Sequence, residues 1–174
     1  MNDRSMKTRS SLAALWIALG AAAATVVARA DAPPMPRNIL PAYARECGSC
    51  HLAYPPGLLP ATSWQRIMGG LEQHYGSDAS LDAAAVGEIS GWLQTNAGGH
   101  KRAREQPPQD RITRAGWFAR KHREIAPQVW ALPSVRSSAN CAACHAGAER
   151  GRFGDGELQL PAGVPADLRR AWND

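Results

Sequence analysis

Two copies of one five-residue pattern contain every cysteine of this 174-residue chain. Both copies read Cys-x-x-Cys-His: Cys47-Gly-Ser-Cys50-His51 and Cys141-Ala-Ala-Cys144-His145. Cysteines three positions apart on a helix point to the same side, so both thiols of a motif can bond the two vinyl groups along one edge of a haem. The histidine that follows can then bring its imidazole to the iron. The spacing predicts two covalently attached haem c groups, with Cys47, Cys50, Cys141 and Cys144 as thioether residues and His51 and His145 as axial iron ligands.

Other uses of paired cysteines leave part of the pattern unexplained. A disulfide within each motif is possible in an oxidising compartment, but the repeated histidine would then have no role. A thioredoxin-like redox pair is expected in a βαβ setting, and the chain shows no convincing strand alternation. The two pairs could combine into one four-thiolate zinc site, yet both histidines would again be idle. Covalent haem uses all the residues of both motifs, so we expect no disulfides.

The sixth iron position decides what such a haem does. A second protein ligand closes the iron and makes an electron carrier, whereas an open position permits binding or reduction of a small molecule. His74 lies 23 residues after His51, and His122 lies 23 residues before His145. Both fall on the apolar face of a predicted helix, where an unpaired imidazole would be costly to bury. We therefore expect His74 and His122 to be the second ligands.

Met35, Met68 and His100 are the other side chains that could compete for the iron. Met68 shares the predicted helix face of His74 and is the rival at the first haem, although a methionine on an amphipathic helix more often packs in a core. His100 lies among glycines and basic residues and is expected to be solvated.

Helices must position these residues, because helical periodicity recurs and strand alternation does not. The predicted helices run around Ile39–Cys50, from Trp64 to Tyr75, from an N-cap at Ser80 to a stop at Gly98, and from Thr113 to Ala126, where Pro127 ends the last one. The third carries an inner stripe of Val86, Ile89, Leu93 and Ala97. The sequence therefore predicts a mainly α fold.

The first thirty residues have the pattern of a secretory signal peptide. A basic start with Arg4, Lys7 and Arg9 precedes an uncharged, alanine-rich run, and Ala28-Arg29-Ala30 places small residues at a cleavage site. We expect cleavage after Ala30 and a periplasmic protein. An uncleaved anchor is the alternative, because the run approaches the roughly 20 residues that span a bilayer.

Removing this segment changes the charge. It holds four basic residues and one acid, so the formal charge falls from +5 to +2, and a nucleic-acid role suggested by the basic balance loses its basis. Residues 31–99 are acidic, with three basic residues and six acids, whereas residues 100–174 have thirteen basic residues and eight acids.

With 44% hydrophobic and 20% charged residues, the composition excludes a disordered chain, a collagen-like fibre and a polytopic membrane protein.

The chain divides near residue 100. Asn96-Ala-Gly-Gly99 ends the first segment, and the polar, proline-bearing stretch that follows reads as a linker. We predict two small haem-binding domains, at residues 31–99 and 111–174, joined by a linker at 100–110.

Several segments resemble the bacterial dihaem cytochrome c family that pairs with a small high-spin monohaem cytochrome. In the first half they are Cys47–Pro60, Ser63-Trp-Gln-Arg-Ile-Met-Gly-Gly-Leu-Glu-Gln-His-Tyr-Gly76 and Ala79–Asp82. In the second half they are Arg111–Thr113, Trp117-Phe-Ala-Arg-Lys-His-Arg-Glu-Ile125 and Asn140-Cys-Ala-Ala-Cys-His-Ala-Gly-Ala-Glu149, followed by Gly151 and Phe153. The resemblance covers most of the chain beyond residue 30, in order. Tyr75 stands where the family more often has Phe.

The resemblance implies bis-histidine ligation of both haems, mapping onto His51 with His74 and His145 with His122, and a first domain similar to a class I cytochrome c. It also implies a periplasmic electron carrier, not an enzyme, which passes electrons from a membrane cytochrome b of the b561 type to a small soluble monohaem cytochrome c. Imidazole in place of a thioether ligand lowers the potential, so we expect two low-potential haems. The alternative is a haem enzyme or a gas or redox sensor, in which one open haem acts on peroxide, oxygen or a nitrogen oxide.

Overall fold

The computed structural model describes residues 35–98 and 101–172, so the predicted signal peptide and His100 lie outside the described residues. Within them the regular structure is helical, and the only β features are the isolated bridges His74–Ser77 and His145–Leu158. The mainly α fold is confirmed. None of the helices in this part of the chain combines the length and apolarity needed to cross a bilayer.

The described residues form short helices joined by turns. The α-helices are α1 (Pro41–Gly48), α2 (Ala61–Met68), α3 (Ala83–Asn96), α4 (Gly116–Lys121) and α5 (Pro127–Trp130). The 3-10 helices are Pro56–Leu58, Leu71–Gln73, Lys101–Arg104, Pro108–Asp110, Ile112–Arg114, Cys141–Ala143, Ala148–Arg150, Asp155–Glu157 and Ala166–Trp172. The second half is thus built largely from 3-10 turns, which pack few side chains on their own.

Helix α3 supplies the centre of the first hydrophobic core. Ile89 and Leu93, from its predicted inner stripe, are 0% and 1% exposed and pack against residues of α1 and α2. Burial of each such side chain contributes about 1.5–3 kcal/mol. Tyr43 of α1 is also buried, and its hydroxyl donates to the Tyr54 carbonyl at 2.6 Å. This bond holds α1 against the proline-containing segment that follows the first Cys-x-x-Cys-His motif.

The predicted N-cap of α3 is wrong. The capping side chain is Asp82, whose carboxylate accepts a hydrogen bond from the Ala85 N–H at 2.8 Å. Ser80 instead uses its backbone N–H to bond the Asp78 carboxylate at 2.9 Å. Both residue types cap helices, but the carboxylate also interacts favourably with the positive end of the helix dipole.

The predicted helix from Trp64 to Tyr75 is also wrong in its second half. Helix α2 ends at Met68, because Gly69 and Gly70 follow and glycine is a poor helix former. The chain then makes one 3-10 turn and leaves it at His74, beyond which Tyr75 and Gly76 have φ angles of +54° and +99°. His74 therefore lies in a tight turn and not on a helix face.

The last predicted helix, Thr113 to Ala126, is broken into shorter pieces. Helix α4 covers only Gly116–Lys121, and His122 follows it with a non-helical φ of −110°. Pro127 does not end this helix; it occupies the first turn of α5, where its missing N–H costs nothing. The residue before a proline disfavours the α conformation, and Ala126 is extended accordingly.

A second, smaller core lies in the second half. Its buried members are Val129, Val135 and Val164, with half-buried side chains such as Trp130 and Leu132 around them. So small an apolar cluster is typical of a segment that needs another group to complete its core. The predicted domain boundaries near residue 100 stay a prediction.

Three polar contacts join segments of the two predicted domains and the predicted linker. The Arg66 guanidinium forms two hydrogen bonds to Asp110, at 2.7 and 2.8 Å. The Tyr75 hydroxyl lies 3.2 and 3.1 Å from the carbonyl oxygens of Gln109 and Asp110. The Tyr54 hydroxyl donates to the Ala139 carbonyl at 2.7 Å, just before the second Cys-x-x-Cys-His motif.

Candidate haem sites

The first Cys-x-x-Cys-His motif spans the end of α1. Cys47 lies in the last turn of the helix, whereas Cys50 follows in the turn beyond Gly48, so the predicted extension of this helix to Cys50 is wrong. Pro41 at the first helical position starts the helix. Cys47 is half-buried and Cys50 is exposed, and burial raises the pKa of the Cys47 thiol to about 11.

The second motif lies on a 3-10 helix, Cys141–Ala143, and not on an α-helix. Because a 3-10 helix has about 3.0 residues per turn, side chains at i and i+3 eclipse one another. This geometry brings the side chains of Cys141 and Cys144 to one side of the backbone. The His145 N–H donates to the Cys141 carbonyl at 2.9 Å and closes the motif.

All four cysteines are free thiols in the structure. Burial raises the pKa of Cys141 to about 11, and it also raises the pKa of Cys144. The raised pKa of Cys47, Cys141 and Cys144 is the opposite of the shift that makes a thiol reactive. Among the described residues, no three or more His, Cys, Asp or Glu side chains form a group that could hold a metal ion.

The structure brings His51 and His74 together at the first site. Their ring centroids are 6.1 Å apart, and the ring planes differ by 17°. The Nδ1 atom of His51 lies 2.7 Å from the Leu52 carbonyl oxygen, and it donates there in the tautomer that leaves Nε2 free. The free Nε2 can then serve as a metal ligand.

The structure also brings His122 and His145 together, at the second site. Their ring centroids are 6.2 Å apart, and the planes differ by 84°. The His122 ring packs on Phe118 with a centroid distance of 4.0 Å, and its Nδ1 lies 2.9 Å from the carbonyl oxygen of the same residue. This pair of contacts fixes both the position of the ring and its tautomer.

Each separation would accommodate one metal ion between the two imidazoles. A metal–imidazole bond to a first-row ion such as zinc is about 2.0 Å long, and adding the distance from nitrogen to ring centre on both sides gives roughly 6.3 Å. The observed values of 6.1 and 6.2 Å agree with this sum.

The environment of these histidines favours the neutral imidazole. Burial lowers the pKa of His74, and the nearby His51 and Arg111 lower it further. Burial lowers the pKa of His122, and the hydrogen bond to the Phe118 carbonyl raises it by a smaller amount. Burial also lowers the pKa of His145, with His122 adding to the effect. Metals bind the neutral form, so these shifts favour ligation.

Met68, the rival ligand predicted at the first site, packs in the core of the first half and is 7% exposed. The structure also places beside the first site two residues that were not predicted as ligands. The Tyr54 ring lies 5.1 Å from that of His51, and the Arg111 guanidinium lies 4.2 Å from the centre of the Tyr75 ring. Tyr54 is three residues from His51 in the chain, whereas the contact of Arg111 with Tyr75 joins distant segments.

The residues present fit a haem at each site. Besides the paired thiols and facing imidazoles, the buried polar atoms without a hydrogen-bond partner in the described part of the chain include Arg111 Nε and His145 Nδ1. A haem supplies apolar surface for small cores, an iron for the imidazoles and carboxylates for a cation.

Comparison with known proteins agrees with this chemistry. The family model described as dihaem cytochrome c matches residues 43–153. No curated protein matches the chain.

Solved structures are similar as well. A diheme cytochrome c from Rhodobacter sphaeroides is 43% identical, with a TM-score of 0.61, and the match covers 70% of this chain and 100% of that one. A second structure from this organism is 44% identical, with a TM-score of 0.58 and coverages of 68% and 99%. The diheme cytochrome from Shewanella baltica is 39% identical, with a TM-score of 0.62 and coverages of 70% and 93%. The chain therefore belongs to the dihaem cytochrome c family, whose members carry two covalently attached haem c groups and function in haem-based electron transfer.

Proposed function

We propose that this protein is a periplasmic electron carrier in which both haem irons have two histidine ligands. The observation that supports it is the facing of the rings at each site, at 6.1 Å for His51 and His74 and at 6.2 Å for His122 and His145. The thioether bonds are assigned to Cys47 and Cys50 for the first haem and to Cys141 and Cys144 for the second.

When bound, each haem iron takes up and releases one electron. The protein's part is to hold the two imidazoles of each site in place, so that no ligand has to be exchanged when the charge changes. The carbonyl groups of Leu52 and Phe118 hold the tautomer at one histidine of each pair. Two imidazole ligands, without a thioether, favour a low reduction potential.

Buried residues lie close to the histidines of each site. Beside the first site, the segment Pro55–Leu59 is buried and its Pro56 carbonyl accepts a 2.7 Å hydrogen bond from Trp64. Beside the second site, Phe118 is buried and Trp130 lies 5.9 Å from His122. Two protein ligands at each iron would leave no open position, which disfavours the enzyme or sensor alternative.

The proposed donor is a membrane cytochrome b of the b561 type, and the proposed acceptor is a small monohaem cytochrome c. The resemblance of the motif-bearing stretches supports these partners, and the signal-like N-terminus supports the periplasmic location. Mass spectrometry of protein exported from a bacterial host tests the location and attachment. A chain that starts at Asp31 and carries two haems is expected; a mass that retains residues 1–30 would contradict cleavage.

Electron paramagnetic resonance of the oxidised protein tests the ligation. We expect two low-spin signals of different shape, because the angle between imidazole planes controls the splitting of the iron d orbitals and the two sites differ, at 17° and 84°. Near-parallel planes give a rhombic signal, and near-perpendicular planes give one large g value. A high-spin signal, or carbon monoxide binding by the reduced protein, would instead support an open haem and the enzyme or sensor alternative.

A further inference from the structure

Arg111 is half-buried, and one nitrogen of its guanidinium has no acceptor among the described residues. Its Nε is buried and has no hydrogen-bond partner in the described part of the chain. A guanidinium stays protonated at every accessible pH and has donors but no acceptor. A buried donor of a charged group that lacks a partner is strongly unfavourable, so this nitrogen points to an anion that the folded protein normally holds.

Arg111 lies beside the proposed site of the first haem. Its guanidinium carbon lies 4.2 Å from the centre of the Tyr75 ring, and Tyr75 directly follows His74. The Tyr75 ring is itself held by its hydroxyl contacts to the Gln109 and Asp110 carbonyls, at 3.2 and 3.1 Å. The guanidinium is therefore fixed beside the distal ligand of the first haem and has little freedom to turn elsewhere.

Nearby protein carboxylates do not fill this role. Asp110, the residue before Arg111, accepts two hydrogen bonds from Arg66 at 2.7 and 2.8 Å. Near the second motif, Arg152 is already paired with Glu157 at 2.9 Å. Arg111 thus differs from these arginines in having its charge beside a haem site and no carboxylate bound to its buried nitrogen.

We propose that Arg111 binds a propionate carboxylate of the haem held by His51 and His74, and that it is a positioning residue for this cofactor. The proposal rests on the proposed function, which assigns these two histidines to the first haem. Propionates are the anionic side groups of haem, and the planar guanidinium matches a carboxylate in geometry and charge. Because Arg111 comes from the second half, the contact also fastens that half to the first haem.

This assignment has an electrostatic consequence. A fixed positive charge beside a haem stabilises the state that holds the additional electron, so Arg111 raises the potential of the first haem. Replacing it by a neutral side chain should lower the midpoint potential of that haem and leave the second unchanged.

The test uses the haem-loaded protein and three variants. Arg111→Gln removes the charge, Arg111→Lys keeps it without the planar fork, and Arg114→Gln is the matched control, because Arg114 is exposed and its loss changes the net charge equally. Redox titration followed by paramagnetic resonance separates the haems by their different signals. We expect Arg111→Gln to lower the midpoint potential of the first haem only. Arg111→Lys should shift that potential less, and Arg114→Gln should leave the midpoint potentials of both haems unchanged.

Equal shifts in Arg111→Gln and Arg114→Gln, or a shift confined to the second haem, would overturn the proposal. If the wild-type protein lacks two low-spin signals, the bis-histidine ligation fails instead, so the two failures are distinguishable. A crystal structure of the wild-type haem-loaded protein is a test that needs no variant. A guanidinium nitrogen within about 3.2 Å of a propionate oxygen is expected, and an Nε bonded to another protein group or to water alone contradicts it.

Discussion

Replacing His122 by alanine is the sharpest perturbation of the second haem. The His122 and His145 rings face each other at 6.2 Å, and His51 and His74 belong to the other pair. With no second imidazole at its site, one of the two haems should become high-spin, so half of the low-spin intensity is lost. Absorption and paramagnetic resonance spectra of the oxidised His122→Ala protein measure this fraction, and carbon monoxide should bind one haem of two after reduction.

The structure also sets the cost in stability. The His122 ring packs on Phe118 at 4.0 Å, and its Nδ1 lies 2.9 Å from the Phe118 carbonyl oxygen. The His122→Ala variant loses both contacts. It keeps the hydrogen bond from the backbone N–H of residue 122 to the same carbonyl oxygen. Loss of a half-buried ring and one hydrogen bond costs roughly 2–3 kcal/mol, before any loss of the iron bond. The melting temperature of the haem-loaded variant should fall by about 2–4 °C for each kcal/mol of lost stability.

A matched control and a rescue make the result specific. Met68→Leu conserves volume at a buried core position, so both haems should stay low-spin and the cost should be below about 1.5 kcal/mol. Free imidazole should enter the space left in His122→Ala and restore the low-spin spectrum. Full low-spin intensity in His122→Ala without added imidazole would refute the ligation by His122 and point to another ligand, such as His100.

Three further predictions concern the cap of α3, the contact between the motifs and acid pH. Asp82→Ala should lower the free energy of unfolding by about 1 kcal/mol in urea titrations, whereas Ser80→Ala should change it by only a few tenths, since Asp82 is the cap; equal losses would contradict this. Tyr54→Phe keeps the ring beside His51 but removes the 2.7 Å hydrogen bond to the segment before the second motif, which should cost about 1 kcal/mol, and an unchanged denaturation midpoint would argue against that contact. Burial lowers the pKa of three of the four proposed ligand histidines, so the stability that depends on their neutral form is present above the ordinary value of about 6.5 and is lost as the pH falls through the lowered values. Acid titration of the oxidised protein should therefore convert the haems to high-spin only below about pH 6.5, and conversion at or above that pH would contradict the reasoning.

His74 and His122 lie close to the motif histidines, as the sequence argument expected, but a different local structure holds them there. His74 and His122 were expected from the faces of long helices, but α2 stops at Met68 and α4 stops at Lys121. Both histidines lie in turns beyond those helices, and Gly69 and Gly70 separate α2 from His74. A helix and the turn that continues its direction can show the same hydrophobic spacing. The spacing therefore predicted which side of the chain is buried, but it did not predict where the helix ends.

The sequence by itself determined the attachment chemistry, because five consecutive residues contain everything that a covalent haem site requires. It also determined the inner stripe of α3, since Ile89 and Leu93 follow from periodicity within one helix. Only the tertiary structure decided the angles of 17° and 84° between the facing imidazoles and the approach of Tyr54 and Arg111. These features depend on side chains brought together from segments far apart in the chain, and their geometry is set by packing between segments that no local pattern encodes.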